Sequence, residues 1–236
     1  MSGVYEGTEL ELFSQATHWK SYVAAQLAEY IKGAVLEVGA GIGGNIPYLL
    51  NPTVTAWTAL EPDPRFAGAI AEKLTDPSHH VLTGTLETIE AGAAFDTILY
   101  MDVLEHIADD RAQVRAAAKL LRPGGHLIVL APAHEFLFSP FDVAVGHYRR
   151  YTPASLRALT PEGTRVALCK WLDSIGLLAS LANRLVLRQK NPTARQIQAW
   201  DRLMVPLSRL IDPLTRYRIG KSLIVVWQAA PNIQAS

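Results

Sequence analysis

The chain has 236 residues, 49% hydrophobic and 19% charged, enough for one sizeable core, and no Pro/Gly/Ser-rich or charged tract reads as a linker. Its 22 basic and 22 acidic residues cancel, so no overall field gathers a nucleic acid, and a single cysteine, Cys169, excludes an internal disulfide and a multi-cysteine zinc site. The first residues show no basic start followed by an apolar run, and the longest apolar stretch, 175–187, is interrupted by Asn183 and Arg184, so neither a signal peptide nor a membrane span is expected and the setting is read as cytoplasmic.

The first strand, residues 34–38, runs straight into G-A-G-I-G-G-N, with Glu37 just ahead of the glycines. Gly39, Gly41, Gly43 and Gly44 lack a Cβ and tolerate positive φ, so backbone there can approach a ligand closely. Gly39, Gly41 and Gly44 also spell the G-x-G-x-x-G of a dinucleotide-binding turn, which leaves the ligand open at this point. Short apolar runs at 54–60, 80–83, 95–101 and 126–131 read as strands buried on both faces of a parallel sheet, with helices between them. The clearest helix spans 109–121: Asp109 and Asp110 suit its positive end, and Arg122-Pro123-Gly124-Gly125 stops it. Residues 132–152 are aromatic and aperiodic and read as an inserted loop. Thr152-Pro153 then opens a helix through Leu159, and a strand follows at 165–171. From 174 to 214 apolar residues recur at helical spacing, broken by Asn191-Pro192 and Pro206 and dotted with Arg184, Arg188, Lys190 and Arg195, which reads as a helical hairpin over the sheet. A last strand at 222–228 pairs antiparallel with its late neighbour at one end of the sheet. This alternation is an α/β signature.

Four segments together resemble the class I S-adenosylmethionine-dependent methyltransferases over residues 34–130: E-V-G-A-G-I-G, L-E-P-D-P, F-D-T-I-L-Y-M-D-V-L-E-H-I and L-L-R-P-G-G. F-D-V-A-V-G-H-Y-R-R-Y-T and G-K-S-L-I-V-V-W further look like a bacterial subgroup of that family. The resemblance implies a Rossmann-like, seven-stranded, mostly parallel sheet with an antiparallel last strand and helices on both faces. It implies one domain over 1–236: a lid or helix at 1–33 carrying Tyr5, His18 and Trp19, a cofactor core at 34–131, an acceptor-side loop at 132–152 and a helical cover at 174–214. The implied cofactor is S-adenosylmethionine, leaving as S-adenosylhomocysteine. By the same resemblance Gly39, Ala40, Gly41, Gly43 and Asn45 cradle its methionine part, Glu37 faces its ammonium, and Glu61, followed by Pro62, takes the ribose hydroxyls, while Asp63 assists or caps the next helix. Thr85 and Leu86 border the adenine, and Met101, Asp102 and Val103 line the cofactor at the carboxyl edge of the sheet. Asp96 starts its strand at the opposite end and reads as structural.

Methyl transfer from a sulfonium needs an aligned acceptor and a dry site more than a protein nucleophile. If the acceptor is a hydroxyl or a protonated amine, His106 or His147 is the candidate base, while Asp142, Tyr148 and Arg149 are candidate orienting groups. His106 alternatively braces the start of a helix. The acceptor is read as a small or amphiphilic, lipid-like organic molecule methylated on oxygen or nitrogen, with no metal and no nucleic acid. A monomer or homodimer is expected, with Trp200, Leu203, Val205 and Leu207 able to bury a dimer contact. The helix around 200–210 reads as an acceptor wall, although Arg202 and Arg209 also suit a membrane surface. Two other functions remain open: a nicotinamide-dependent oxidoreductase, and a non-catalytic S-adenosylmethionine-binding interaction protein.

Overall fold

The β-rich apolar runs form strands because, buried on both faces, they have only each other for their backbone groups. The computed structural model describes residues 8–184 and 193–231. Its strands are β1 (Gly33–Val38), β2 (Val54–Glu61), β3 (His79–Thr83), β4 (Phe95–Met101), β5 (Leu121–Pro132), β6 (Thr164–Leu172) and β7 (Ser222–Ala229). They make one seven-stranded sheet in the order β3-β2-β1-β4-β5-β7-β6. Neighbours from β3 to β5 run parallel, and β7 is antiparallel to both β5 and β6, so it alone is reversed. The Rossmann-like expectation holds. Strand order turns back between β1 and β4, and ligands of such sheets sit beyond the carboxyl ends of strands at that switch point.

One face of the sheet packs Trp19, Tyr22, Trp57, Trp200 and Val205, and the other packs Val114, Leu156 and Trp227. The helices on these faces are α1 (Thr8–Ser14), α2 (Thr17–Leu27), α3 (Ile46–Leu49), α4 (Pro64–Ala71), α5 (Asp110–Ala118), α6 (Pro140–Ala144), α7 (Pro153–Arg157), α8 (Ser174–Ala182), α9 (Ala194–Ala199) and α10 (Val205–Leu214). Among the described residues no helix is long and apolar enough to cross a membrane.

Three readings of the sequence need correction. Helix α5 ends at Ala118 rather than 121, because Leu121 already pairs with Phe95 and the Pro-Gly-Gly kink belongs to the start of β5. There Gly124 takes φ +75°, and a Cβ on Gly125 would lie 2.9 Å from the Arg122 carbonyl oxygen. The loop at 132–152 is not wholly irregular: it carries a single 3₁₀ turn at Glu135–Leu137 and helix α6, whose Ser139 and Asp142 form a capping box. Pro206 does not break the late helix. Helix α9 continues into α10 through a π turn, Trp200–Met204, which absorbs the hydrogen bond and the space that a proline denies to the preceding turn. Asn191, Pro192, Arg188 and Lys190 lie outside the described residues, as does Tyr5.

The helical cover is tied to the rest by buried aspartates. The Asp201 carboxylate accepts the backbone N–H groups of Trp19 (2.8 Å) and His18 (3.2 Å) and meets the His18 ring at 3.0 Å. Ala16, the residue preceding α2, offers no side-chain cap, so Asp201 caps that helix from 182 positions beyond Trp19. Asp212 accepts the Tyr22 hydroxyl at 2.8 Å and the Asp173 and Ser174 amides. Asp173, at φ +68°, caps α8 and accepts the Trp200 indole at 2.7 Å and the Ser208 hydroxyl at 2.8 Å.

Candidate active site

The glycine turn after β1 closes because Gly39, Gly41 and Gly43 adopt φ of +70°, +57° and +73°, conformations that a side chain resists. A Cβ on Gly39 would also lie 2.8 Å from the Val103 side chain, which places the turn against the end of β4. The Glu61 carboxylate fixes this loop: one oxygen accepts the Gly41 amide at 2.7 Å and the other the Asp63 amide at 3.0 Å. Each oxygen keeps a further lone pair for a ligand hydroxyl. Asp63 does not assist, because its own carboxylate caps α4 at the Arg65 amide. Asp96 is structural as expected, accepting the Ala34 amide at 2.8 Å and pairing with Arg122.

Glu37 is 1% exposed, and its Oε2 finds no hydrogen-bond partner among the described residues. Its other oxygen receives only a long contact from the Asn45 amide at 3.4 Å. Burial pushes its carboxyl up to about 7, against the pull of that amide and of the nearby Trp57 indole. An orphaned buried carboxylate beside a bare-backbone turn fits a cationic amino group. The sequence reading missed Lys20. Its ammonium lies where a Cβ on Gly44 would be 2.9 Å away and donates to the Ser14 carbonyl at 2.9 Å, and Glu37 is among the charges acting on it. A Cβ on Gly41 would lie 3.3 Å from the Leu10 side chain of α1. On α2, His18 and Trp19 face Asp201 and Trp200.

At the far side of the turn, Ala40, Leu86 and Met101 are buried, Val103 is half-buried and Pro62 is exposed. Thr85 is turned to Glu87 by a hydrogen bond. Asp102, at φ +55°, is open to solvent, yet the protein crowding round it raises its carboxyl to about 6 despite the charges of His147, Lys221 and Arg150. Lys221, also unforeseen, sits 4.2 Å from the Trp200 ring centroid and 3.6 Å from Asp173, linking cover to cleft.

The insertion folds onto this edge. The Tyr148 amide donates to the Glu105 carbonyl at 2.8 Å. Asp142 is wholly buried and saturated: Ser139, His147 Nδ1 (2.8 Å) and a bidentate Arg150 (2.8 and 3.0 Å) all converge on it. Burial alone would raise this carboxyl, but the hydrogen bonds from His147 and Arg150 hold it well below its ordinary range. Asp142 therefore has no face for an acceptor; it orients His147. Arg149 is drawn away to Asp110 at 2.6 Å and to the Ala108 carbonyl, and Tyr148 is exposed over it. Arg150, not Arg149, is the cation of the cluster. His106 forms the end of a 3₁₀ turn and meets the His147 ring edge-on at 4.5 Å. Burial, with His147 beside it, lowers it to about 4, so it stays neutral near pH 7. Glu105 is buried with both oxygens lacking a hydrogen bond, 3.9 Å from His147 Nε2, and burial reinforced by Asp102 raises it well above its usual value. Glu105, His106 and His147 each bring one ligand atom within 4.8 Å of the others, a set able to hold a cation. Sequence spacing gave no sign of it, because His147 arrives from a separate segment.

Residues 36–127 match the family model described as a methyltransferase domain. A ubiquinone biosynthesis O-methyltransferase from Caulobacter sp. (strain K31) is 36% identical over 99 residues, 40% of this chain and 39% of that protein. The chain thus matches under half the length of that curated relative. A chain of the complex between the Haloferax volcanii Trm112 methyltransferase activator and a methyltransferase superposes with a TM-score of 0.64 at 17% identity, over 96% of this chain and 95% of that one. Coclaurine N-methyltransferase bound to N-methylheliamine and S-adenosylhomocysteine gives a TM-score of 0.60 at 12% identity, over 90% and 72%. The matched segment, which holds the glycine turn, is thus similar to a methyltransferase domain, and the fold is one that solved methyltransferases share nearly end to end.

Proposed function

We propose that the protein is a cytoplasmic enzyme that methylates a small or amphiphilic organic acceptor, on a hydroxyl first and on an amine as the second reading. The orphaned Glu37 carboxylate beside the positive-φ glycine turn carries the cofactor part of this reading. S-adenosylmethionine, when bound, supplies a methyl group on a sulfonium to an acceptor in line with it. Glu37 and Lys20 offer opposite charges to the ammonium and carboxylate of an amino acid, and Glu61 offers lone pairs to the ribose hydroxyls. Ala40, Thr85, Leu86, Met101 and Val103 border the remainder of the cofactor. On the acceptor side, His147 takes the acceptor proton, oriented by Asp142, with Asp102 beside it at the cleft surface and His106 bracing the ring. The whole chain acts as one domain, with 1–33 as lid, 34–131 as core, 132–152 closing the acceptor side and 174–214 as cover.

An Asp–His pair at the carboxyl edge of the sheet, its Nε2 3.9 Å from the buried Glu105, favours an acceptor with a removable proton, which is why a hydroxyl leads. The O-methyltransferase relative supports the same reading, and the N-methyltransferase neighbour supports the second. Calorimetry with S-adenosylhomocysteine, with NAD as control, tests the cofactor. Micromolar binding weakened roughly 10- to 100-fold in Glu61→Ala is expected, the loss of two hydrogen bonds to a charged group. Binding of NAD instead would move the reading to hydride transfer.

A further inference from the structure

On the continuous helix from α9 to α10, Leu203, Leu207, Leu210 and Leu214 are 66%, 49%, 70% and 82% exposed. Their spacing at about 100° per residue puts all four within a narrow arc, and Val205, Ser208 and Asp212, all buried, occupy the opposite side. The leucines therefore point straight away from the core. Leu178 on the adjoining α8 and Ile219 just beyond α10 are also exposed. A monomer gains nothing from such a stripe in water.

Charge says what covers it. Arg202, Arg209, Arg216 and Arg218 are exposed in the same stretch, whereas its two acids, Asp201 and Asp212, are buried and face inward. Of the elements packed beside it, α8 is S-I-G-L-L-A-S-L-A and α2 carries Lys20 as its one formally charged residue besides His18, while α1, packed on α9, has Glu9 and an exposed Glu11. Arg209 lies over the Tyr22 ring, 5.8 Å from its centroid. A leucine stripe on a helix that exposes arginines and keeps both of its own carboxylates buried is complementary to a bilayer surface of anionic lipids, where an interfacial helix sinks its apolar face and its cations meet phosphates.

We propose that the α9–α10 helix docks the protein flat on an anionic phospholipid surface. This departs from the reading of an acceptor wall, since the leucines face outward; of the four residues named for a dimer contact, Trp200 and Val205 are buried in the protomer and Leu203 and Leu207 are exposed. The proposal stands independently of the methylation chemistry.

The test is co-sedimentation of the full chain with vesicles of phosphatidylcholine alone or with about 30% phosphatidylglycerol, at low salt and at ~0.5 M salt. Partitioning at least tenfold stronger onto the anionic vesicles, and weakened by salt, is expected. Leu207→Ser with Leu210→Ser should abolish it, and each of Arg202→Gln and Arg209→Gln should weaken it about fivefold. Light scattering on the lipid-free protein gives the oligomeric state. No partitioning, or partitioning undiminished in the leucine variant, overturns the proposal. So does a dimer that the leucine variant splits, which would make a second copy the occupant. If the leucine variant fails to fold, the arginine variants and vesicle-induced hydrogen-exchange protection over 203–214 decide the same question.

Discussion

Glu37 shows how a functional carboxylate is kept at a cost to the fold. With its carboxyl raised from 4.5 to about 7, the folded protein holds a proton that the unfolded chain has lost. Stability therefore falls as pH rises from about 4.5 to about 7 and levels off above, a cost of about 3 kcal/mol for a group this buried. Glu37→Gln should remove that cost, raising the unfolding free energy at pH 8 by about 2–3 kcal/mol in denaturant titrations and leaving it little changed at pH 4. The same variant should lose cofactor affinity. In the parent protein, affinity for S-adenosylhomocysteine should rise from pH 6 to pH 8, because the cationic ammonium selects the ionised form. At the acceptor side, His147→Asn should lower kcat by roughly 10²- to 10⁴-fold with cofactor affinity retained. Asp142→Asn should act through His147, lowering kcat and displacing the pH profile; an unaltered profile would reduce Asp142 to a loop brace. These residues were legible to different degrees. Glu37, Glu61 and the glycines stand in one short segment or at a strand end, where the backbone alone dictates position. Lys20, Lys221 and Glu105 were missed because only tertiary folding brings them to the cleft, and Arg149 was mistaken for Arg150 because adjacent residues in an extended segment point to opposite sides.

Among the elements, the strands were readable nearly to their ends, since each is a run of apolar residues flanked by turns. The α5 terminus was misjudged because Lys119 to Leu121 continue the helical pattern in composition while β-pairing with Phe95 claims Leu121. Pro206 was misread as a break because the sequence does not announce a π turn. That turn places Asp201 beneath the first turn of α2, where it accepts two amides. Asp201→Ala should cost about 1–2 kcal/mol from the lost cap and lower the melting midpoint by roughly 2–8 °C, with the change confined in hydrogen exchange to α2 and the cover. A melting point equal to that of the parent would show that the cap contributes nothing.

For the molecule as a whole, the seven-stranded, mostly parallel sheet and its single reversed strand followed from the alternation of elements and the family resemblance, because such a sheet is dictated by few, strongly patterned segments. The cover was foreseen as helical but its outward leucines were not: periodicity reveals that a helix has an apolar side without telling which side meets the core. Here polar residues, Ser208 and Asp212, take the inner face and free the leucines for the surface. The aspartates behind that inversion bear on how such a protein can be altered over descent. Asp201 and Asp212 are written late in the chain, and their partners, the α2 amides and the Tyr22 hydroxyl, are written early. Neither end can be exchanged between relatives on its own without stranding a buried carboxylate, so the N-terminal helices and the cover are compatible only as a matched pair.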